Sequence, residues 1–214
     1  MTQLSIAFII FAYLIGSIPF SHLITRWRTG QSIYDVGEGN VGARNVWYVV
    51  GRGWGLLAGA LDMLKGLSII TIASLLALPP LAVFLAGIAV MLGHQFPIYL
   101  HWRGGKGLAT GGGVMLGLSP LSTLLGGAIM LVALAVIRDF NISLVPTVIS
   151  VILLPILFHR PLWVAACGVV LAVLAGIKKL IDREHETEVW AVHPWQGNAV
   201  PGFHRKDAPP GDVL

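Results

Sequence analysis

The sequence predicts an all-α, polytopic membrane protein with seven transmembrane helices, one of them short. Three observations carry this. Of 214 residues, 56% are hydrophobic and only 11% are charged, too little charge to cover a soluble surface of this size. The mean hydropathy is +0.80. Apolar runs, most of them near the ~20 residues that cross a hydrocarbon core, are separated by short polar breaks.

The runs are Leu4–Ile24, Leu56–Leu78, Leu81–Leu100, Leu108–Leu118, Leu121–Ile137, Leu144–Phe158 and Leu162–Leu180. The first lacks a basic leader and a small-residue cleavage site, so it reads as a retained helix and not a signal peptide. The fourth is short and glycine-rich, which fits either a half-helix or a tightly packed one. Pro79-Pro80, Ser119-Pro120 and Arg160-Pro161 punctuate the joins. These runs make residues 1–181 one membrane domain. Residues 182–214 mix Glu, His, Trp, Pro and Gly without a period, and read as an irregular cytoplasmic tail that Trp190 and Trp195 could anchor at head groups or on a partner.

Basic residues set the orientation. Arg26, Arg28, Arg44 and Arg52 follow the first run, Arg103 and Lys106 the third, Arg138 the fifth, and Lys178, Lys179 and Arg183 the seventh. The alternate connections hold one, Arg160. The positive-inside rule therefore puts the N-terminus outside and the C-terminus in the cytoplasm. The formal charge of +4 serves this orientation and anionic lipid, since no basic tract suits nucleic acid. Cys167 is the sole cysteine, so no internal disulfide forms, and the histidines show no metal-ligand spacing. No metal or cofactor is expected.

Two glycine-rich segments fall on the predicted cytoplasmic side: Val36 to Asn45, with Gly39, Asn40, Arg44 and Asn45, and Arg103 to Gly113, with Gly104, Gly105, Lys106 and Gly107. Glycine lets backbone N–H groups converge, and a helix start adds its positive dipole end, which suits phosphate. Lys106 adds a full charge and Arg44 a forked donor, while Asn40 and Asn45 can orient a hydroxyl. Gly107 follows the lysine, so this is no Walker A loop. The competing reading is two ordinary basic loops. Asp62 and Lys65, three apart within an apolar run, share a helix face and read as a structural or site ion pair. His94 either meets a phosphate or fixes a loop carbonyl. No nucleophile–base pair is legible, so the chemistry reads as positioning and charge neutralisation.

From Leu4 to Leu180 the chain resembles the bacterial PlsY-type acyltransferases, which make lysophosphatidic acid from acyl phosphate and glycerol 3-phosphate. The resemblance rests on Gly16-Ser17-Ile18-Pro19-Phe20, Gly39-Asn40 with Gly42-Ala43 and Asn45, Leu61-Asp62-Met63-Leu64-Lys65-Gly66, Gly93-His94 with Pro97, and Gly104-Gly105-Lys106-Gly107 with Ala109-Thr110. It implies seven helices, a multi-pass place in the bacterial inner membrane, a cytoplasmic-side site, no cofactor, and a role in phospholipid biosynthesis. The glycerol hydroxyl would attack the mixed anhydride. Lys106 and its glycines would hold phosphate, and Asn40, Asn45 and His94 would orient substrates. The acyl chain would lie along lipid-facing helices.

The chain departs from that pattern at several points. Glu38 stands where the family has serine and Arg44 where it has threonine, and an expected arginine falls at Tyr48. Ser143 fits one family serine, whereas Pro146 replaces another. The third motif's His and Asn align with Val173 and Gly176. Two readings follow. One is a divergent acyltransferase. The other is a catalytically silent, lipid-binding or structural subunit whose tail docks on a larger membrane complex. A transporter fits less well, because the ionisable residues gather toward one face and mark no midplane pathway.

Overall fold

The computed structural model describes residues 1–192, with side chains through residue 189. Among the described residues it is entirely helical: α1 Gln3–Gly16, α2 Phe20–Thr29, α3 Ala43–Val49, α4 Arg52–Leu75, α5 Pro80–Gln95, α6 Leu108–Leu118, α7 Pro120–Ile137, α8 Phe140–Leu157, α9 Leu162–Ile181 and α10 Arg183–Val192. Six stretches are long and apolar enough to cross a membrane, the first of them formed by α1 and α2 together. The seventh, α6, has 11 residues, about 16 Å at 1.5 Å each, which does not cross ~30 Å of hydrocarbon alone.

Four boundaries differ from expectation for local reasons. The first run is not one helix. It breaks at Ser17-Ile18-Pro19, where proline lacks an N–H and keeps the preceding residue out of the α region. The third ends at Gln95 because Phe96-Pro97 stops it, leaving a single 3₁₀ turn, Ile98–Leu100. The sixth begins four residues early, since the Asp139 side chain caps it by accepting from the Ile142 N–H at 2.9 Å. The tail is not irregular at its start: Arg183–Val192 is α10, with Glu184 and Glu186 in its first turn beside the positive end of the dipole. Trp195 lies outside the described residues, as does the side chain of Trp190.

The core joins α1, α4, α5, α6 and α9, through Ile69, Ile70, Val90, Met91, Val114 and Cys167 among others. Glycine lets two pairs of helices touch backbone to backbone. Gly16 lies against Val90 and Gly93 against Tyr13, joining α1 to α5. Gly66 lies against Thr110 and Gly113 against Met63, joining α4 to α6. The short α6 is thus both a half-helix and a tightly packed one. Its start lies level with the middle of α4, so the preceding connection reaches well into the bundle. α7 and α8 pack on each other at the periphery and are the least buried spans.

Candidate functional site

Asp62 and Lys65 form the ion pair their spacing predicts, at 2.8 Å. They are 2% and 4% exposed, and His94 at 7% closes the group. His94 Nδ1 lies 3.4 Å from the Asp62 carboxylate and 2.9 Å from Lys65 Nζ. The ammonium also donates to the carbonyls of Gly16 and Ile18, at 3.0 and 3.2 Å. Those carbonyls lie at the break between α1 and α2. A charge deep in the bundle is thus used to satisfy a broken helix, and the group ties three helical segments together. The other ring nitrogen of His94 faces the second glycine-rich segment: a Cβ on Gly105 would lie 2.5 Å from Nε2.

The two glycine-rich segments meet there. Gly105 is also pressed against the Val41 carbonyl of the first segment. Its N–H donates to the His94 carbonyl at 3.2 Å, and the Gly104 N–H donates to the Gln95 carbonyl at 3.0 Å. Gln95 Nε2 donates to the Lys106 carbonyl at 3.0 Å. These bonds fix the direction in which Lys106 leaves the backbone. Gly107 follows at φ +83, which glycine adopts without strain, and no side chain caps the first turn of α6.

Asn45, on α3, is 0% exposed. Its Nδ2 donates to the carbonyls of Ile33, Val36 and Asn40 at 3.0–3.2 Å, and its Oδ1 accepts from the Glu38 N–H at 2.9 Å. These bonds tie the loop from Ile33 to Asn45 together through one amide. Gly39 has φ +64 and lies against Val189 of α10.

The charged side chains then form one connected chain. Arg44 pairs with Glu38 at 2.7 Å. Asn40 Nδ2 donates to Glu38 at 3.0 Å and to Glu186 at 3.0 Å. Lys106 reaches both Glu186 oxygens, at 2.7 and 2.9 Å. Burial opposes the Arg44 charge, yet the Glu38 carboxylate, with Tyr48 and Glu186, lifts its pKa above the ordinary value. Its guanidinium lies 5.3 Å over the Phe140 ring at the start of α8. At the rim, Arg103 lies 4.8 Å over the Tyr34 ring and 3.2 Å from His185. The Tyr34 hydroxyl donates to the Arg103 carbonyl. Burial pushes the Tyr34 pKa up to about 12, against Arg103 and with Asp182.

Gly39, Asn40, Arg44, Gly104, Gly105, Lys106, Gly107 and His94 therefore converge, with Asn45 beneath them. Ser143 is buried one turn beyond Phe140, and its hydroxyl has no hydrogen-bond partner among the described residues. Glu186 escaped the sequence reading. It sits in the segment assigned to the tail, and its acidic first turn was the one local signal. No group of three or more His, Cys, Asp or Glu among the described residues could hold a metal.

A helical bundle with six membrane-length apolar stretches and a buried polar cluster at one end defines the class: an integral membrane protein. Comparison gives the family. The glycerol-3-phosphate acyltransferase family model matches residues 6–186. A glycerol-3-phosphate acyltransferase of Roseiflexus sp. (strain RS-1) is 43% identical over 180 residues, 84% of this chain and 80% of the relative. One from Desulforamulus reducens is 38% identical over 75% of this chain and 76% of the relative. The crystal structure of PlsY (YgiH), an integral membrane glycerol 3-phosphate acyltransferase, in its glycerol 3-phosphate form superposes with a TM-score of 0.77 at 30% identity, covering 86% of this chain and 92% of that one. The chain belongs to the glycerol-3-phosphate acyltransferase family.

Proposed function

We propose that this chain transfers an acyl group from acyl phosphate to glycerol 3-phosphate at the cytoplasmic side of a bacterial inner membrane, forming lysophosphatidic acid. In the step, a glycerol hydroxyl oxygen bonds to the acyl carbonyl carbon. The bond from that carbon to the phosphate oxygen breaks with its electron pair, and the hydroxyl proton ends on the released hydrogen phosphate. Phosphate is a good leaving group, so positioned cations suffice without a nucleophilic side chain.

One observation carries this reading: the donors of Lys106 and Asn40 already converge on an anion, the Glu186 carboxylate. A phosphate offers oxygens to the same donors and takes them by displacing that carboxylate. Glu38, which would repel phosphate if unpaired, is paired with Arg44. In this proposal Lys106 is the main phosphate cation, His94 and Asn45 are positioning residues, and Asp62–Lys65 supports the site from below. The orientation with the N-terminus outside is supported by the gathering of Arg44, Arg103, Lys106 and Lys179 at one end while Arg160 lies at the other. The family's enzymatic relatives favour this over a silent subunit, although Val173 and Gly176 leave the third motif's polar groups unreplaced in kind.

The test is purified protein in nanodiscs with hexadecanoyl phosphate and glycerol 3-phosphate, beside Lys106→Ala. Wild-type protein should release phosphate and lysophosphatidate in equal amounts, and the variant should lose about 100-fold or more in kcat/KM. Absence of turnover by folded wild-type protein refutes the activity. Full activity in the variant removes Lys106 from the mechanism.

A further inference from the structure

Away from the buried polar cluster, the end of α2 meets the start of α4 in a group of two tryptophans and an arginine. Trp27 and Trp54 lie edge to face, with ring centroids 5.4 Å apart. The Arg28 guanidinium lies over both rings, 5.5 Å from the Trp27 centroid and 4.8 Å from that of Trp54. Trp54 stands in the first turn of α4, so these contacts cross from one helix to the other.

The start of α2 is joined to α4 differently. There Lys65 donates to the Ile18 carbonyl and lies 5.7 Å from the Phe20 ring, and Asp62 meets its charge inside the bundle. At the far end of α2 no carboxylate answers the charge. The Arg28 side chain makes no ion pair or hydrogen bond among the described residues, and neither does that of Arg26 or Arg52. All three are exposed. Carboxylates hold Arg44, Lys65, Lys106 and Lys178 by contrast. The group also faces outward among apolar neighbours. Trp27 is 71% exposed, and Leu23, one turn earlier on α2, is 51% exposed. Leu57, one turn beyond Trp54 on α4, is exposed as well.

Membrane orientation needs only the number of basic residues at this end and is indifferent to where a guanidinium rests. Here two aromatic rings hold it in place while its N–H donors stay free. That planar fork suits phosphate oxygens, and the exposed indole and Leu23 offer apolar contact to whatever carries the phosphate. A free phosphate would leave the apolar surface unused. A zwitterionic lipid would bring its own cation to a place that already gathers unpaired arginines. We propose that Trp27, Arg28 and Trp54 form a binding site for the head group of an anionic phospholipid, and that the bound lipid fastens the end of α2 to α4. α2 is then held at its start by a buried lysine of α4 and at its end by lipid. The site lies on the outer surface of α2 and α4 and does not depend on the acyltransferase reading.

The test uses purified protein in nanodiscs of phosphatidylcholine with a rising fraction of phosphatidylglycerol, read by native mass spectrometry of retained lipid and by thermal unfolding. Wild-type protein should retain phosphatidylglycerol about tenfold over phosphatidylcholine and melt higher as its fraction rises. Arg28→Gln and Trp27→Ala should each lower that preference about fivefold and flatten the dependence of melting on phosphatidylglycerol, and Arg28→Lys, which keeps the charge, should recover part of it. Arg138→Gln removes the same charge from an exposed residue at the α7–α8 link, and should leave the preference within twofold of wild type. Equal losses in Arg138→Gln and Arg28→Gln assign the effect to net charge and overturn the site. A melting temperature lowered by Arg28→Gln equally at every phosphatidylglycerol fraction, with retention unchanged, makes Arg28 a bridge between helices only and overturns it as well. Phosphatidylglycerol displaced by millimolar inorganic phosphate marks a free-anion site and overturns the lipid assignment.

Discussion

Substituting Gly105 by alanine tests the meeting of the two glycine-rich segments directly. A Cβ at this position would lie 2.5 Å from His94 Nε2 and would press on the Val41 carbonyl oxygen. Neither obstacle yields easily. His94 is held by Asp62 and Lys65, and a backbone oxygen has no rotamer to change. To reach even 3.0 Å, the segment must move at least about 0.5 Å away from the imidazole. Overpacking of this kind costs about 1–3 kcal/mol of stability. Because Lys106 is the next residue, the displacement is passed to its ammonium. A misplacement near 1 Å costs about 100-fold in rate, so a tenfold to 100-fold loss of kcat/KM is expected. Phosphate release from acyl phosphate and glycerol 3-phosphate measures the rate, and thermal unfolding in detergent measures stability. Gly127→Ala is the control, since its added Cβ meets nothing within 4 Å. A Gly105→Ala protein with wild-type kcat/KM and melting temperature would refute the view that this contact fixes Lys106.

Three further outcomes follow from the geometry. Lys65→Met leaves Asp62 buried without its cation and frees the carbonyls of Gly16 and Ile18; unfolding should show a loss of about 3–5 kcal/mol, and Asp62→Asn in the same protein should recover part of it. Asn45→Ala removes the bonds that hold residues 33–45 together, so hydrogen exchange should rise across that loop and kcat should fall, with exchange in α7 and α8 unaltered; exchange confined to position 45 would count against the scaffold role. Tyr34 has a folded pKa of about 12 against an ordinary 10.0, so its contribution to stability is present below pH 10 and fades between about pH 10 and 12. Tyr34→Phe should flatten the loss of stability over that window, and an unchanged alkaline profile would remove Tyr34 as its source.

Hydropathy reports what a segment needs from its surroundings, and this is why the helical stretches were legible one at a time. The fourth run was bounded as observed, Leu108–Leu118, because Gly107 and Ser119-Pro120 flank it. The first run misled, because its composition is uniformly apolar across Pro19 while its backbone is not helical there. Such a break is tolerated only if something distant satisfies the freed carbonyls, and that partner, Lys65, is 49 residues from Gly16. The Asp62–Lys65 pair itself was readable, since three residues along a helix is a local distance. The Glu38–Arg44 pair joins a loop residue to one on α3 six positions later, a contact that helix spacing does not predict. Glu186 was not readable either, for it belongs to a segment whose composition shows no period.

The sequence by itself determined the membrane class, the helical stretches and the end of the bundle that gathers positive charge, because each depends on residues near one another along the chain. Only the tertiary structure decided what the cations face. Lys106 meets Glu186 across 80 residues and Asn40 meets it across 146, and Lys179 meets Asn141 across 38. Electrostatic pairing depends on distance in space, and nothing in a hydropathy pattern encodes which distant charges the packing of glycine-lined helices will bring within reach.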